Sequence, residues 1–254
     1  MSWIYHAGID SEAASVLVTV NGGLVLETIW PSPLFIQPDI NRYLRVGANS
    51  LGIRIRPSIQ RIGPASCSVT IRRGTVGMDR STMETVATFE IRIDIESPEP
   101  EKSGEFIFHS EALLPSWRWM EAVPVTVNDD TIRALRREHT IFHEALSRRD
   151  IPALLAMVAE RNEESAASRY STRGFVDAET ASELSALLEN PHFVLAPLVL
   201  ERFQTLRYAN GQLVTLGALD GGYPLYFLRD DYAQCAFLPL FFRTGIGGGF
   251  VIAR

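Results

Sequence analysis

Apolar residues recur at every second position through the first half of the chain, and this period constrains the fold more than any other feature. The longest example is residues 84–96, ETVATFEIRIDIE, and shorter ones occupy residues 14–20, 24–30, 51–55, 67–73 and 105–110. A strand with one face on a core and the other in water has this pattern. Because no helical spacing interrupts it before about residue 109, the sequence predicts an all-β sandwich or jelly roll over residues 1–115.

Residues 14–57 carry a more specific pattern. It consists of Val20-Asn21-Gly22, then Asp39-Ile40 with Tyr43-Leu44, then Gly47 and Asn49, then Leu51, Ile53 and Ile55. This order resembles the galactose-binding-like jelly roll that lies beside the catalytic domains of many glycoside hydrolases. The matched residues are structural, so the resemblance implies a fold rather than a ligand. The residues themselves predict that Asp39 caps a one-turn helix with Ile40 and Leu44 pointing inward.

The period changes to helical spacing after residue 128. Helices are predicted over residues 128–150, 150–170 and 177–191, with Asp150 and Asp177 as caps, and strands follow to residue 254. The sequence therefore predicts an α+β domain over residues 128–254, joined to the first by a Trp/Pro linker at 116–127. The stretch FHEALSRRDIPALLAMV, with the order of helices and then strands, resembles the cone-shaped NTF2-like fold.

Charge and termini exclude several classes of protein. The net charge is −6 and the pI is about 5.4, which argues against nucleic acid or an anionic membrane as the partner. The N-terminus has no signal-peptide pattern, and no stretch approaches the roughly 18 apolar residues of a membrane span. We therefore expect a soluble, cytoplasmic protein. Cys67 alternates with buried strand positions and is expected to be a buried thiol.

No sequence motif predicts a metal or cofactor. His139 and His143 are one helical turn apart, a spacing that can serve a metal, but no third ligand accompanies them and arginines surround them. A solvated, salt-bridged helix face is the simpler interpretation. The stretch TGIGGGF at residues 244–250 lacks the following helix that a phosphate loop requires, so we interpret it as a hairpin turn.

Two groups of residues are candidates for a binding site. Trp117, Arg118 and Trp119 are of the types enriched at interaction hot spots, although the simpler interpretation is that the two tryptophans pin the linker between the two domains. If the NTF2-like interpretation holds, its cone could instead contain an acid–base group, with Asp220, Tyr226 and Asp230 as candidates.

Three functions are compatible with these patterns. The first is a non-enzymatic protein-interaction protein, for example a bacterial immunity or inhibitor protein that neutralises a toxin. The second is a small-ligand-binding or enzymatic NTF2-like domain with an accessory β-sandwich. The third is a carbohydrate-binding module, which would need an exposed aromatic platform from Trp30, Phe35 and Tyr43. Enzymatic activity and homo-oligomerisation remain open, with the balance against an enzyme.

Overall fold

The computed structural model describes residues 2–28, 31–58, 63–218, 222–229, 235–245 and 248–253. Within these ranges the chain is a mixture of antiparallel sheets and four α-helices, and all four helices follow residue 128. None of the described helices is both long and apolar enough to cross a membrane. Contacts divide the chain into two compact units: unit 1 is Met1–Ser116 with Ser168–Tyr170, and unit 2 is Trp117–Ala167 with Ser171–Arg254.

Unit 1 contains eight strands within the described residues. They are β1 Trp3–Glu12, β2 Ala14–Val20, β3 Gly23–Glu27, β4 Leu34–Ile36, β5 Gly47–Pro57, β6 Ala65–Thr75, β7 Glu84–Ile93 and β8 Lys102–Ser110. Their pairings are antiparallel and form two four-stranded sheets, ordered β4-β1-β6-β7 and β3-β2-β5-β8. Short 3-10 helices at Asn41–Tyr43 and Arg80–Thr82 interrupt the strands.

The core of unit 1 follows the period-two pattern of the sequence. Every second residue of the central strands is buried, including Val16, Val18, Val20, Leu51, Ile53, Ile55, Cys67, Val69 and Ile71. Strand β5 of one sheet contacts β6 and β7 of the other, so these apolar side chains pack between the two sheets. Burial raises the pKa of the Cys67 thiol to about 12, as expected for a structural cysteine that stays protonated.

Two asparagines explain the Val-Asn-Gly and Gly-x-Asn patterns. Asn21 adopts φ of 50° in the tight turn between β2 and β3 and donates through Nδ2 to Oδ1 of Asn49 at 2.8 Å. Asn21 Oδ1 accepts the amide of Ser50 at 3.0 Å. Asn49 is fully buried, and its Nδ2 donates to the carbonyl oxygen of Arg45 at 2.9 Å. These side chains therefore hold the segment before β5 against the β2–β3 turn.

The predicted one-turn helix is the 3-10 helix Asn41–Tyr43, and Ile40 rather than Asp39 occupies its N-cap position. Asp39 lies one residue earlier, and its Oδ1 accepts the amide of Asn41 at 2.8 Å. Ile40 and Leu44 are fully buried, so the prediction for the two inward-facing side chains is confirmed. Asn41 is also fully buried, and its side chain bonds the backbone of Tyr5 at 2.7 Å.

Unit 2 contains the helices and the remaining strands. The helices are α1 Asp129–Ser147, α2 Ile151–Met157, α3 Ala159–Ser168 and α4 Arg173–Glu189. The strands are β9 Phe193–Leu195, β10 Gln204–Tyr208, β11 Leu213–Gly217, β12 Tyr226–Arg229, β13 Cys235–Phe237, β14 Phe242–Thr244 and β15 Phe250–Ile252. They form one sheet ordered β10-β11-β14-β15 and another ordered β13-β12-β9.

Apolar positions of α1 supply much of the core of unit 2. Leu135, Phe142 and Leu146 recur at helical spacing and are buried in one cluster with Val214 and Leu216 of β11. The caps at the start of the first two helices agree with the sequence. Asn128 accepts the amide of Thr131 at 2.9 Å, and Asp150 accepts that of Ala153 at 3.1 Å.

The boundaries of the later helices differ from the prediction. The predicted helix at 150–170 is two helices, because the backbone of Val158 leaves helical geometry with φ −96° and ψ 13°. The predicted cap at Asp177 is wrong: α4 begins five residues earlier in sequence, where Thr172 accepts the amide of Phe175 at 3.3 Å. Asp177 lies inside α4, and its carboxylate instead accepts Nδ2 of Asn162 at 2.7 Å.

The apolar run 237–242 is not the continuous strand that its composition indicates. Strand β13 ends at Phe237 and β14 begins at Phe242. Pro239 lies between them and has no amide hydrogen to donate to a sheet ladder, so a strand cannot continue regularly through it.

Candidate functional site

Residues 117–127, which we call the strap, contain the predicted Trp117-Arg118-Trp119 group. The strap starts with a turn, in which the amide of Met120 donates to the carbonyl oxygen of Trp117 at 2.9 Å. Its inward-facing residues are buried: Trp117, Trp119, Ala122 and Val125. The tryptophans are 1% and 0% exposed, so neither indole can stack on a ligand in this conformation. Between them the side chain of Arg118 is 49% exposed, and Val123 is 71% exposed. The reachable part of the predicted group is therefore the guanidinium alone.

Hydrogen bonds hold the backbone of the strap in place. The amide of Val125 donates to the carbonyl oxygen of Gly211 at 2.8 Å, beside the turn between β10 and β11. Nε2 of Gln212 donates to the carbonyl oxygen of Met120 at 2.5 Å. A segment anchored by both buried side chains and backbone bonds presents its outward side chains in a defined order.

Three glutamates of α3 contact Arg118 of the strap. Glu164 accepts the backbone amide of Arg118 at 2.8 Å. The guanidinium of Arg118 contacts the carboxylate of Glu163 at 2.9 Å and that of Glu160 at 3.4 Å. Glu160 is 11% exposed and also pairs through both carboxylate oxygens with Arg243, which is 10% exposed. The bidentate pair is nearly buried, so it orients Glu160 strongly.

Sequence reasoning missed this carboxylate cluster and its second arginine. The available signal was the spacing of the glutamates at positions 160, 163 and 164, which places them on one helix face. Arg243 gave a further signal, because it directly follows the apolar run 237–242. A charged residue beside such a run is rarely buried unless it is paired.

The structure describes only one of the three alternative pocket residues. Asp220 and Asp230 lie outside the described residues, so their proposed acid–base role has no structural description. Tyr226 begins β12, is half-buried, and its ring centre lies 5.9 Å from that of Phe237. Of the three aromatic residues named for a sugar platform, Trp30 lies outside the described residues, Tyr43 is buried, and Phe35 is exposed.

The two histidines of α1 contact different backbone carbonyl groups. Nδ1 of His139 lies 2.8 Å from the carbonyl oxygen of Leu135, and Nε2 of His143 lies 3.0 Å from that of Ala196. His139 is 1% exposed, and burial lowers its pKa to about 4. The prediction of a solvated face therefore does not hold for His139, which packs against Phe242 with ring centres 5.2 Å apart. Among the described residues, no group of three His, Cys, Asp or Glu side chains could hold a metal ion.

Comparison with protein-family models, with curated proteins and with solved structures gave no match to this chain.

Proposed function

We propose that the chain is a non-enzymatic protein-binding protein and that the outward side of the strap is its contact surface. The observation that supports this most directly is Val123. Its side chain is 71% exposed, although Ala122 directly before it and Val125 two residues after it in the strap are buried. Its carbonyl oxygen nevertheless accepts a hydrogen bond from Oγ1 of Thr244 at 3.2 Å. The valine is thus presented by an anchored backbone.

An anchored contact surface favours binding for a physical reason. Ordering a mobile loop on association costs free energy, and a segment already held by Trp117, Trp119 and Val125 avoids most of that cost. Arg118 adds a residue type enriched at binding hot spots, and Glu163 has a side chain 53% exposed beside it. An apolar centre with a charged edge is the usual organisation of a protein interface.

The more specific form of the proposal is that the partner is a toxin and the chain its immunity or inhibitor protein. The net charge of −6 supports a basic partner, because opposite net charges accelerate encounter. As scaffolds we propose a galactose-binding-like jelly roll for unit 1 and an NTF2-like cone for unit 2. The two four-stranded antiparallel sheets support the first, and the order of helices followed by strands supports the second.

A partner-capture experiment with matched variants tests the surface. The tagged chain and its Val123→Asp variant are exposed to lysate of the source cells, and captured proteins are identified by mass spectrometry. Val194→Asp is the control, because Val194 is an exposed valine outside the strap, in β9 of the β13-β12-β9 sheet. We expect a partner at near-equal stoichiometry that is lost with Val123→Asp and kept with Val194→Asp. Retention with both variants would move the surface away from the strap, and capture of nothing would count against a protein partner.

Substitution of Trp117 or Trp119 is unsuitable for this test. Both indoles are buried, and removing one from a core typically costs about 3–5 kcal/mol. Loss of a partner would then report loss of folding. Val123→Asp changes an exposed side chain and leaves the buried side of the strap intact.

A further inference from the structure

A carboxylate, an imidazole and a guanidinium lie in one row across unit 1. An antiparallel bridge pairs Asp39 with His6 of β1. On its other side, His6 lies directly opposite Arg72 of β6 in the strand register. Directly opposite residues of antiparallel strands project from the same face, with Cβ atoms about 4.5–5.5 Å apart. We call these three residues the Asp39–His6–Arg72 row.

The row contains two buried nitrogen atoms that lack a partner. Nδ1 of His6 and Nε of Arg72 are both inaccessible and make no hydrogen bond with any part of the chain that the structure describes. His6 as a whole is 8% exposed. Buried polar atoms are nearly always bonded. Nε of Arg72 is always a donor and therefore lacks an acceptor, and Nδ1 of His6 lacks one whenever it carries a proton.

Excess positive charge surrounds the same place. Arg80, in the 3-10 helix Arg80–Thr82, acts electrostatically on His6. Neither Arg72 nor Arg80 forms a side-chain ion pair or hydrogen bond with another described residue. Other arginines of unit 1 do: Arg73 pairs with Glu84 at 2.8 Å, for example. Unpaired arginines are notable in a chain with a net charge of −6.

We propose that His6, Arg72 and Arg80 form a binding site for a small oxyanion, a phosphate-like or carboxylate group. The two guanidinium groups supply donors whose geometry matches either kind of oxyanion. The imidazole supplies a third donor when it is protonated on both nitrogens. This site lies in unit 1 and does not depend on the strap, so the two proposals succeed or fail separately.

Binding at this site is coupled to protonation. The charges of Asp39 and Arg80 act on His6, and Arg72 lies opposite it in the strand register. Burial, the largest influence, lowers the pKa of His6; the charge of Asp39 raises it, that of Arg80 lowers it, and the backbone carbonyl groups of Gln37 and Pro38 raise it. An oxyanion beside the ring stabilises the imidazolium and raises the pKa of His6, so binding takes up a proton. Burial also raises the pKa of Asp39, so its competing negative charge is lost more readily as the pH falls.

Calorimetric titration of the full chain tests the proposal. The probes are sulfate, as a tetrahedral oxyanion, and acetate, as a carboxylate; neither changes its charge between about pH 6 and pH 8, the range in which histidine ordinarily titrates. We expect saturable one-site binding of at least one probe, tighter at the lower pH and accompanied by proton uptake. Binding of sulfate alone or of acetate alone identifies the oxyanion class.

Two variants and a control locate the site. Arg80→Gln, at an exposed position, should weaken binding about tenfold or more, the usual effect of losing one charge-assisted hydrogen bond. His6→Gln should remove the proton uptake. Arg92→Gln removes the same charge from β7 of the same sheet, where Arg92 is exposed and pairs with Asp94, and should leave the affinity unchanged. The absence of saturable binding to the wild-type chain, or equal weakening by Arg80→Gln and Arg92→Gln, would overturn the proposal.

Discussion

The buried imidazole of His139 should make the stability of unit 2 depend on pH. Its pKa in the folded chain is about 4, lowered by burial from an ordinary value of 6.5. A histidine whose folded pKa is depressed stabilises the fold above its unfolded pKa, and that stability is lost as the pH falls toward the folded pKa. The window is therefore from about pH 6.5 down to about pH 4. Protonation would place a charged N–H at Nε2, which is buried without a hydrogen-bond partner among the described residues.

The size of the effect follows from the difference between the two pKa values. One pKa unit corresponds to about 1.4 kcal/mol, so the full shift amounts to about 3 kcal/mol. Between about pH 7.5 and pH 5 the linkage relation gives a loss of about 2 kcal/mol from this residue alone. Other titrating groups add their own dependence, so the quantity of interest is the difference between the wild-type chain and a variant that lacks the imidazole.

Urea unfolding followed by circular dichroism at the helical band measures this difference. The four helices begin in unit 2, so the signal reports chiefly on that unit. His139→Leu should lose about 2 kcal/mol less than the wild-type chain between the two pH values. His143→Leu is the matched control for removing an imidazole from the same helix, one turn along at a partly exposed position. If His139→Leu and the wild-type chain lose the same stability, the burial argument is refuted.

Two further predictions concern the polar groups that hold each unit together. Glu160→Gln should destabilise unit 2 by about 3–5 kcal/mol in urea unfolding, because it leaves Arg243 nearly buried without its counter-charge; Glu163→Gln, at a position 53% exposed, should cost less than about 1 kcal/mol. Equal effects of the two substitutions would contradict this. Asn49→Ala should cost about 3 kcal/mol and speed hydrogen exchange of residues 41–57 by about a hundredfold, whereas Asn190→Ala, at a half-buried position after α4 of unit 2, should leave that exchange unchanged. Unchanged exchange in Asn49→Ala would remove the proposed role of the asparagine network.

The sequence predicted six of the eight described strands of unit 1, because each of these depends on local alternation, and it missed β1 and the three-residue β4. A residue such as Ile53 is buried with Leu51 and Ile55 whatever the order of the strands in the sheet. The turn at Asn21-Gly22 was predictable for the same reason, since positive φ is a property of the two residues themselves. Sheet order is different, because it depends on pairings between residues far apart, such as His6 with Arg72.

Helix boundaries were predicted less well because several residues compete for the cap. Asp177 and Thr172 are both good N-cap residues, and nothing local distinguishes them. What decides between them is Asn162 of α3, whose side chain donates to Asp177 and so gives that carboxylate a partner inside the helix. The competing partner is 15 residues away in sequence, beyond the reach of a capping pattern.

The strap illustrates why a candidate site is harder to predict than a strand. The stretch SWRWME offers two tryptophans and an arginine, and composition alone favours the aromatic rings as the contact. Glu164, from another element, accepts the amide of Arg118, and the tryptophans on either side of Arg118 are buried while its guanidinium is half exposed. These contacts come from residues far away in sequence, so the local composition does not predict which side chains face inward. Arg118 and the exposed residues beyond the tryptophans are the parts of this segment that a partner can reach, which is why Val123 rather than an indole is the side chain to change.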